Sequence, residues 1–209
     1  MRVIKPSIEI LSKESYEDML EIIEIAGRTC YKSEDNITDD SAERFIKSLM
    51  DKKHKSVLEH AKVTIRVICD RGVTHEIVRH RMASYSQEST RYCNYSKDKF
   101  GNEITVIKPC FLEEDTKKYY LWLKTCENCE KAYFEMLDIG MTPQEARDIL
   151  PNSLKTEIVM TLNISSWRNF LELRNSKAAH PQMREVSSMI YDEFEQKYPI
   201  FVYGISKGE

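Results

Sequence analysis

The sequence is poor in glycine and proline and has no long apolar run. Its six glycines contain no G-x-G-x-x-G segment, which argues against a Rossmann dinucleotide-binding fold. It also lacks the run of about 18 apolar residues that a membrane helix needs, so no spanning segment is expected. Residues 1–10 lack the apolar stretch of a secretion signal, and a cytoplasmic protein is therefore predicted.

A large excess of charge of one sign is also missing. The chain carries 31 Lys and Arg against 34 Asp and Glu, which gives a formal net charge of −3. A protein with this balance is not a general polyelectrolyte partner of nucleic acid, so any anion site has to come from local clustering. Its 209 residues, of which 41% are hydrophobic and 31% charged, predict one soluble globular domain over residues 1–209.

The cysteines do not suggest a disulfide framework. In an unexported chain, reduced thiols are the expected state of all of them. Cys126 and Cys129 form a single C-x-x-C within a helical pattern, and a zinc site would need two more ligands. Two thiols on a helix is the favoured interpretation, and a metal site is the alternative. The sequence has six cysteines: Cys30, Cys69, Cys93, Cys110, Cys126 and Cys129.

Helices are predicted from capping patterns and from apolar residues at helical spacing. The first runs from the Ser15–Asp18 capping box to a stop at Gly27, and the second begins near Thr38 or Asp39. The next run from Thr74 into Arg79–Arg81, over residues 113–137 and from Thr142 to Pro151. The last two begin at Ser165 or Ser166 and at Pro181, and the final helix stops before Pro199.

Strands are predicted where apolar and polar residues alternate, over residues 62–69, 104–107 and 156–162. Residues 83–97 have no apolar period and are predicted to form a long polar loop, a kind of segment that is usually functional. Because strands and helices follow one another without a repeat or a flexible linker, the pattern predicts an α+β fold.

Cations gather in one stretch of this mildly acidic chain. Arginine forks match phosphate and carboxylate oxygens two at a time, so the stretch predicts a site for a small phosphorylated metabolite. A solvated basic surface is the alternative interpretation. The cations are Arg71, Arg79, Arg81 and Arg91, with His75 and His80 among them and only Glu76 and Glu88 opposing them.

The order of these residues carries a family resemblance. Arg79-His80-Arg81, followed after seven residues by Ser89, reproduces an R-H-R-x7-S signature, and here the chain resembles the flavin-dependent thymidylate synthases. Other family-like segments follow in the same order between His54 and Glu185. They are His54-x-Ser56-x-x-Glu59-His60, Thr74-His75-Glu76, Ser86 to Tyr92, Ala146 to Pro151, Leu162-Asn163 and Asn169 to Arg174.

The resemblance implies a fold and a reaction. The fold is a mixed α/β arrangement, with a central mixed or antiparallel sheet flanked by helices, and it assembles as a homotetramer whose active sites are shared between subunits. The reaction is the reductive methylation of dUMP to dTMP. Methylenetetrahydrofolate gives the carbon unit, FAD carries hydride and NADPH is the reductant.

The resemblance also implies site residues, one position at a time. FAD would be bound by Ser56, Arg79, His80, Arg81, Gln87, Asn163, Ile164, Ser165 and Asn169. The nucleotide dUMP would be bound by Glu76, Ile77, Val78, Arg79, Gln87, Glu88, Ser89, Thr90, Arg91, Arg147 and Arg174.

Arg174 would activate C5 of dUMP electrostatically, because arginine stays protonated and stabilises the anionic form of the uracil ring. The flavin-free thymidylate synthases instead use a cysteine in a Pro-Cys-His setting. Here Pro109-Cys110 is followed by Phe111, and Cys110 is predicted to be an ordinary buried thiol rather than a nucleophile.

The chain departs from some relatives. Glu76 and Gln87 stand where certain members carry Gln and Glu, and Ser165 stands where some have Arg. His54 is a candidate for orienting flavin or folate, with a structural role as its alternative. His180 is a further candidate flavin neighbour in a segment whose spacing differs from that of relatives.

Two other functions remain as alternatives. A nucleic-acid-binding module would use the Arg/His stretch, although the net charge and the lack of clustered lysines oppose it. A metal-dependent hydrolase would draw on the histidines, but their spacings do not put two on one helical face as H-E-x-x-H does. The histidines concerned are His54, His60, His75 and His80.

Overall fold

A computed structural model describes residues 1–208 of the chain and has the mixed α+β character that the sequence predicted. Most of the predicted helices are present, with some shifted ends. The helices are α1 (Tyr16–Tyr31), α2 (Ser41–Asp51), α3 (Arg71–Ile77), α4 (Lys117–Asp138), α5 (Pro143–Ala146), α6 (Ile164–Arg174) and α7 (Pro181–Lys197). Short 3₁₀ turns lie at Glu34–Asn36, Ser56–His60, Asp98–Phe100, Arg147–Ile149 and Pro199–Val202.

The strands form two sheets among the described residues. One is a parallel pair, β1 with β5, in which Val3 lies opposite Val106. The other has the order β2-β3-β6-β4. The strands are β1 (Arg2–Ile4), β2 (Ser7–Ile10), β3 (Lys62–Asp70), β4 (Ala83–Gln87), β5 (Thr105–Ile107) and β6 (Lys155–Asn163).

Strands β3 and β6 run antiparallel. Ile164 N donates to Ala61 O just before β3 begins, at 3.0 Å, and Arg71 N donates to Asn152 O just after it ends, also at 3.0 Å. The start of one strand is therefore next to the end of the other.

The chain divides into two compact units. The first unit comprises residues 1–7, 67–79 and 86–159, and the second comprises residues 8–66, residues 80–85 and the described chain from residue 160 onward. The core of the first contains Tyr133, Ile104 and Leu154, all fully buried. The core of the second is aromatic: Trp167 packs against Phe170 and Phe194 with ring centroids 5.5 Å apart in each pair.

None of the helices in residues 1–208 combines the length and the apolar character needed to cross a bilayer.

The first helix confirms its predicted start and corrects its predicted end. The Ser15 side chain accepts from Asp18 N at 3.1 Å while the Asp18 carboxylate accepts from Ser15 N at 3.2 Å, which is a reciprocal capping box. Gly27 does not stop the helix, which continues to Tyr31. A Cβ at Gly27 would lie 2.6 Å from the Phe45 ring, so this glycine allows α1 and α2 to approach closely.

Two predictions around the signature segment were wrong. The short helix begins at Arg71 because the Asp70 carboxylate accepts from Val73 N at 2.8 Å; Thr74 lies within the helix and is not its cap. Residues 83–87, predicted as part of a loop, form strand β4. Its side chains alternate in exposure but are mostly polar, so no apolar period marks it, as is common for a strand at a sheet edge.

Two further predictions need correction. The cap of α6 is Asn163, whose Oδ1 accepts from Ser166 N at 2.8 Å, because β6 leads directly into the helix. Ser165 and Ser166 are already helical. Cys110 is exposed rather than buried.

Candidate functional site

The predicted dUMP residues, apart from Arg174, all lie in the first unit. Glu76 and Ile77 lie in the last turn of α3 and Val78 follows it; Arg79 is exposed. Arg147 is exposed at the start of the 3₁₀ turn that continues α5. The segment 87–91 connects β4 to the next turn and holds the remaining members.

Gln87 is fixed by two hydroxyl groups that sequence reasoning did not identify. Its Nε2 donates to Thr74 Oγ1 at 3.0 Å and to Thr156 Oγ1 at 3.2 Å. Thr74 gives its only hydroxyl proton to Arg71 O at 2.8 Å, so toward Gln87 it can only accept. Because Thr74 Oγ1 can only accept, the amide nitrogen of Gln87, and not its oxygen, faces this hydroxyl.

Segment 89–93 folds into a tight turn. Ser89 O accepts from Tyr92 N at 3.1 Å and from Cys93 N at 2.9 Å. Ser89 Oγ accepts from Arg91 N at 3.3 Å, and Thr90 is only 6% exposed. The turn thus buries the Thr90 side chain and leaves that of Arg91 accessible.

Arg91 contacts the segment that carries Arg147. Its Nε donates to Gln144 Oε1 at 3.1 Å, and Gln144 lies in α5, three residues before Arg147. Helix α5 has the predicted capping box, in which the Glu145 carboxylate accepts from Thr142 N at 2.8 Å. The structure therefore links Arg91 to the helix that precedes Arg147.

Most predicted FAD residues lie in the second unit, and Arg79 and Gln87 are the exceptions. The 3₁₀ turn that begins at Ser56 packs against α6, and the Ile164 amide anchors that helix on Ala61 O. Ser56 and Asn169 are exposed, while Ile164 is buried. The Ser56–His60 turn and α6, which are far apart in the sequence, are thereby brought together in the second unit.

The second unit also brings Arg174 and His80 together. Arg174 Nε donates to His80 Nε2 at 3.0 Å, and the His80 ring packs on Phe170 with the centroids 4.7 Å apart. Tyr85 donates its hydroxyl proton to His80 O at 2.7 Å, which fixes the backbone of the signature histidine.

Burial, reinforced by the charge of Arg174, lowers the pKa of His80 to about 4. The ring is therefore neutral near neutral pH, and the hydrogen bond from Arg174 requires that Nε2 carry no proton. A neutral Nδ1–H tautomer of His80 is the state that this geometry supports.

The other two candidate histidines make local contacts. His54 Nδ1 lies 2.8 Å from Tyr31 Oη, and the two rings stack with an interplanar angle of 16°. His180 caps α7 by accepting from Gln182 N at 3.3 Å. Within residues 1–208 there is no cluster of three or more His, Cys, Asp or Glu side chains that could hold a metal ion.

Sequence reasoning did not predict the supporting contacts of five residues, although it placed Thr74 in a family-like segment. These residues are Thr74, Tyr95, Gln144, Lys155 and Thr156. A signal existed for Lys155, because Lys155 and Glu157 place opposite charges on one face of β6, although the strand was predicted to begin only at residue 156. No comparable pattern marks the others, whose partners in these contacts lie between seven and 69 positions away in the chain.

Comparison with known proteins gives a consistent picture. A family model described as thymidylate synthase complementing protein matches residues 12–200. A flavin-dependent thymidylate synthase of Pyrococcus furiosus is 31% identical over 177 residues, which cover 84% of this chain and 72% of the relative. One from Mycolicibacterium gilvum is 33% identical over 184 residues, with 79% and 71% covered.

A solved structure shares the fold. The crystal structure of the UMP/dUMP methylase PolB from Streptomyces cacaoi, bound with 5-Br dUMP, aligns with a TM-score of 0.78. The alignment covers 99% of this chain and all of that one, at 21% sequence identity. At this identity the similarity establishes the fold alone.

Proposed function

Because this chain belongs to the flavin-dependent thymidylate synthase family, we propose that it converts dUMP to dTMP by reductive methylation. The carbon unit comes from methylenetetrahydrofolate, FAD is the cofactor and NADPH is the reductant. Residues 1–209 act as one synthase domain, and four copies assemble with shared active sites. One observation carries the proposal: the residues of the signature segment are held by specific hydrogen bonds while its arginines remain exposed.

The exposed Arg91 and the turn at Ser89 suit a nucleotide phosphate. A guanidinium donates two hydrogen bonds to a phosphate in parallel, and the Ser89 hydroxyl can donate a third. Arg147, at the end of the segment that Arg91 contacts, adds a second exposed cation. Gln87, whose amide orientation is fixed, is suited to forming a hydrogen bond with the polar edge of uracil.

Arg174 is proposed to activate the substrate ring. Carbon C5 of neutral uracil is a poor nucleophile, and stabilising negative charge at N3 and the adjacent carbonyl pushes electron density toward it. A permanently charged guanidinium does this without moving a proton itself. Its hydrogen bond to neutral His80 engages the Nε–H and limits the rotation of the side chain.

The residues of the second unit fit a flavin. Ser56, Arg81 and Asn169 are exposed and would supply hydrogen-bond donors to a bound flavin nucleotide. Uncharged His80, packed on Phe170, supplies an aromatic surface without a competing charge. A flavin held by these residues would supply the hydride-transfer chemistry of the reaction.

Flavin content and product formation test this function. Purified protein should absorb as a flavoprotein after incubation with FAD, and should make dTMP only when dUMP, methylenetetrahydrofolate and NADPH are all supplied. Protein that binds no flavin and makes no dTMP under these conditions would contradict the proposal.

Replacing Arg91 by alanine should weaken dUMP binding by about tenfold to a hundredfold, since charge-assisted bonds to phosphate contribute about 1.5–3 kcal/mol. Flavin content should not change. Isothermal titration with dUMP checks this, and Gln144→Ala is the control for loss of the contact with α5 alone. If the affinity of Arg91→Ala equals that of the wild type, Arg91 does not bind the phosphate.

A further inference from the structure

Glu88 is held by three hydrogen bonds in the first unit. Its backbone N–H donates to Glu157 O at 2.8 Å. Its carboxylate accepts from Lys155 Nζ at 2.9 Å and from Tyr95 Oη at 3.1 Å. Only 14% of the Glu88 side chain is exposed, so these contacts replace most of its hydration. Backbone and side chain of Glu88 are thus both attached to fixed neighbours.

Lys155 connects two carboxylates. Its ammonium lies 2.9 Å from Glu88 Oε2 and 2.5 Å from Glu157 Oε1, and its side chain is 20% exposed. Burial opposes the charged form of Lys155, but the hydrogen bonds with Glu157 and Glu88 outweigh it and raise the pKa above its usual value. Lys155 therefore remains a cation between two anions.

Glu88 immediately precedes the turn proposed to bind the dUMP phosphate. Ser89 and Arg91 belong to that turn, which closes on Ser89 O through Tyr92 N and Cys93 N. A shift of the Glu88 backbone would therefore move the first residue of the turn.

We propose that Lys155 is a positioning residue for dUMP binding, which acts through Glu88 to hold the 89–91 turn in its binding conformation. The inference rests on the proposed function and deepens it. Lys155 touches neither substrate nor cofactor in this role. Its effect is exerted on dUMP affinity and not on the chemical step.

Two physical consequences of losing the Lys155 charge point the same way. The Glu88 and Glu157 carboxylates would repel each other without a cation between them. The turn would then be less ordered, and ordering it when dUMP binds would cost affinity. Glu88 would also lose its directly paired cation, next to a site for a phosphate.

The structure gives the loosened side chains room to move. Glu88, Tyr95, Lys155 and Glu157 are among the residues that line a cavity of about 400 Å³. Rearrangement of the Glu88 side chain into this space would meet little steric resistance, so the position of that side chain depends on its hydrogen bonds to Lys155 and Tyr95.

The test compares Lys155→Met with Lys108→Met. Lys108 is a matched control because its side chain is 18% exposed and it pairs with Glu114 at 2.7 Å in the same unit. In Lys155→Met, the Kd for dUMP should rise about tenfold, while kcat at saturating dUMP and flavin content stay within about twofold of the wild type. Lys155→Arg, which keeps the charge, should recover most of the affinity.

Tyr95→Phe provides a second variant that does not disturb the charge balance. It removes only the hydroxyl bonded to Glu88 and keeps the ring that packs on Phe100 and Tyr133. We expect the Kd for dUMP to rise about threefold with kcat unchanged. This variant decides the question if Lys155→Met does not fold.

The outcomes separate this inference from the proposed function. If wild-type protein binds dUMP but Lys155→Met, or Tyr95→Phe in its place, has the affinity of Lys108→Met, the positioning role is overturned and the proposed function stands. If wild-type protein neither binds dUMP nor forms dTMP, both fail together.

Discussion

Replacing Arg174 by alanine is expected to lower kcat for dTMP formation by about a hundredfold to a thousandfold, the usual cost of removing one group that stabilises developing charge. The loss should appear in kcat at saturating dUMP, because the guanidinium is proposed to act on the electron density of the uracil ring. Single-turnover measurement of dTMP formation with flavin-loaded enzyme checks this result.

The geometry around Arg174 adds a second expectation for the same position. Its Nε–H donates to His80 Nε2 at 3.0 Å, and the planar guanidinium is the group proposed to stabilise charge on the uracil ring. Arg174→Lys keeps a positive charge but replaces the planar fork with a single flexible ammonium. We expect Arg174→Lys to retain activity between that of Arg174→Ala and the wild type.

Arg44→Ala controls for the loss of an arginine in the same unit. Arg44 is 73% exposed on α2 and pairs with Asp40, which is itself exposed. The turnover, flavin spectrum and melting temperature of Arg44→Ala should match the wild type. Near-normal turnover in Arg174→Ala would mean that C5 is activated by another group.

Local signals predicted local structure well. The Ser15–Asp18 capping box contains both partners within four residues, and the structure has the predicted bonds. The start of α6 was misplaced, because the cap Asn163 is also the last residue of β6 and its pattern belongs to the strand. A capping residue that ends one element while it begins the next is hard to assign from periodicity.

Contacts between distant residues could not be predicted in this way. The resemblance pointed to His80 and Arg174 separately, but nothing in the sequence indicates that they bond across 94 positions. Lys155 and Glu88 are 67 positions apart, and their pairing depends on which strands are neighbours in the sheet. Residue types at a site can therefore be inferred from motifs, whereas the residues that hold them in place require the fold.

The neutral state of His80 predicts a specific dependence of stability on pH. Burial and the Arg174 charge lower its pKa to about 4 in the folded protein, from an ordinary value near 6.5. The unfolded chain therefore binds more protons than the folded chain at His80 between these two values. The contribution of His80 to stability is fully present above about pH 6.5 and is lost as the pH falls toward about 4. Protonation would make Nε2 a donor and would break the bond from Arg174.

His80→Gln removes this titration while keeping an acceptor for the Arg174 N–H. The amide oxygen of the new side chain can accept the bond at any pH. The free energy of unfolding of His80→Gln should therefore lack the part that depends on protonation of His80. Between about pH 6.5 and pH 4 the wild type should lose up to about 3 kcal/mol more than His80→Gln, since each pKa unit corresponds to about 1.36 kcal/mol. Urea unfolding across this range measures the difference.

His75→Gln, which changes an exposed histidine and leaves His80 intact, should keep the wild-type dependence of unfolding free energy on pH. Parallel profiles for the wild type and His80→Gln would mean that His80 is not held neutral by burial and Arg174.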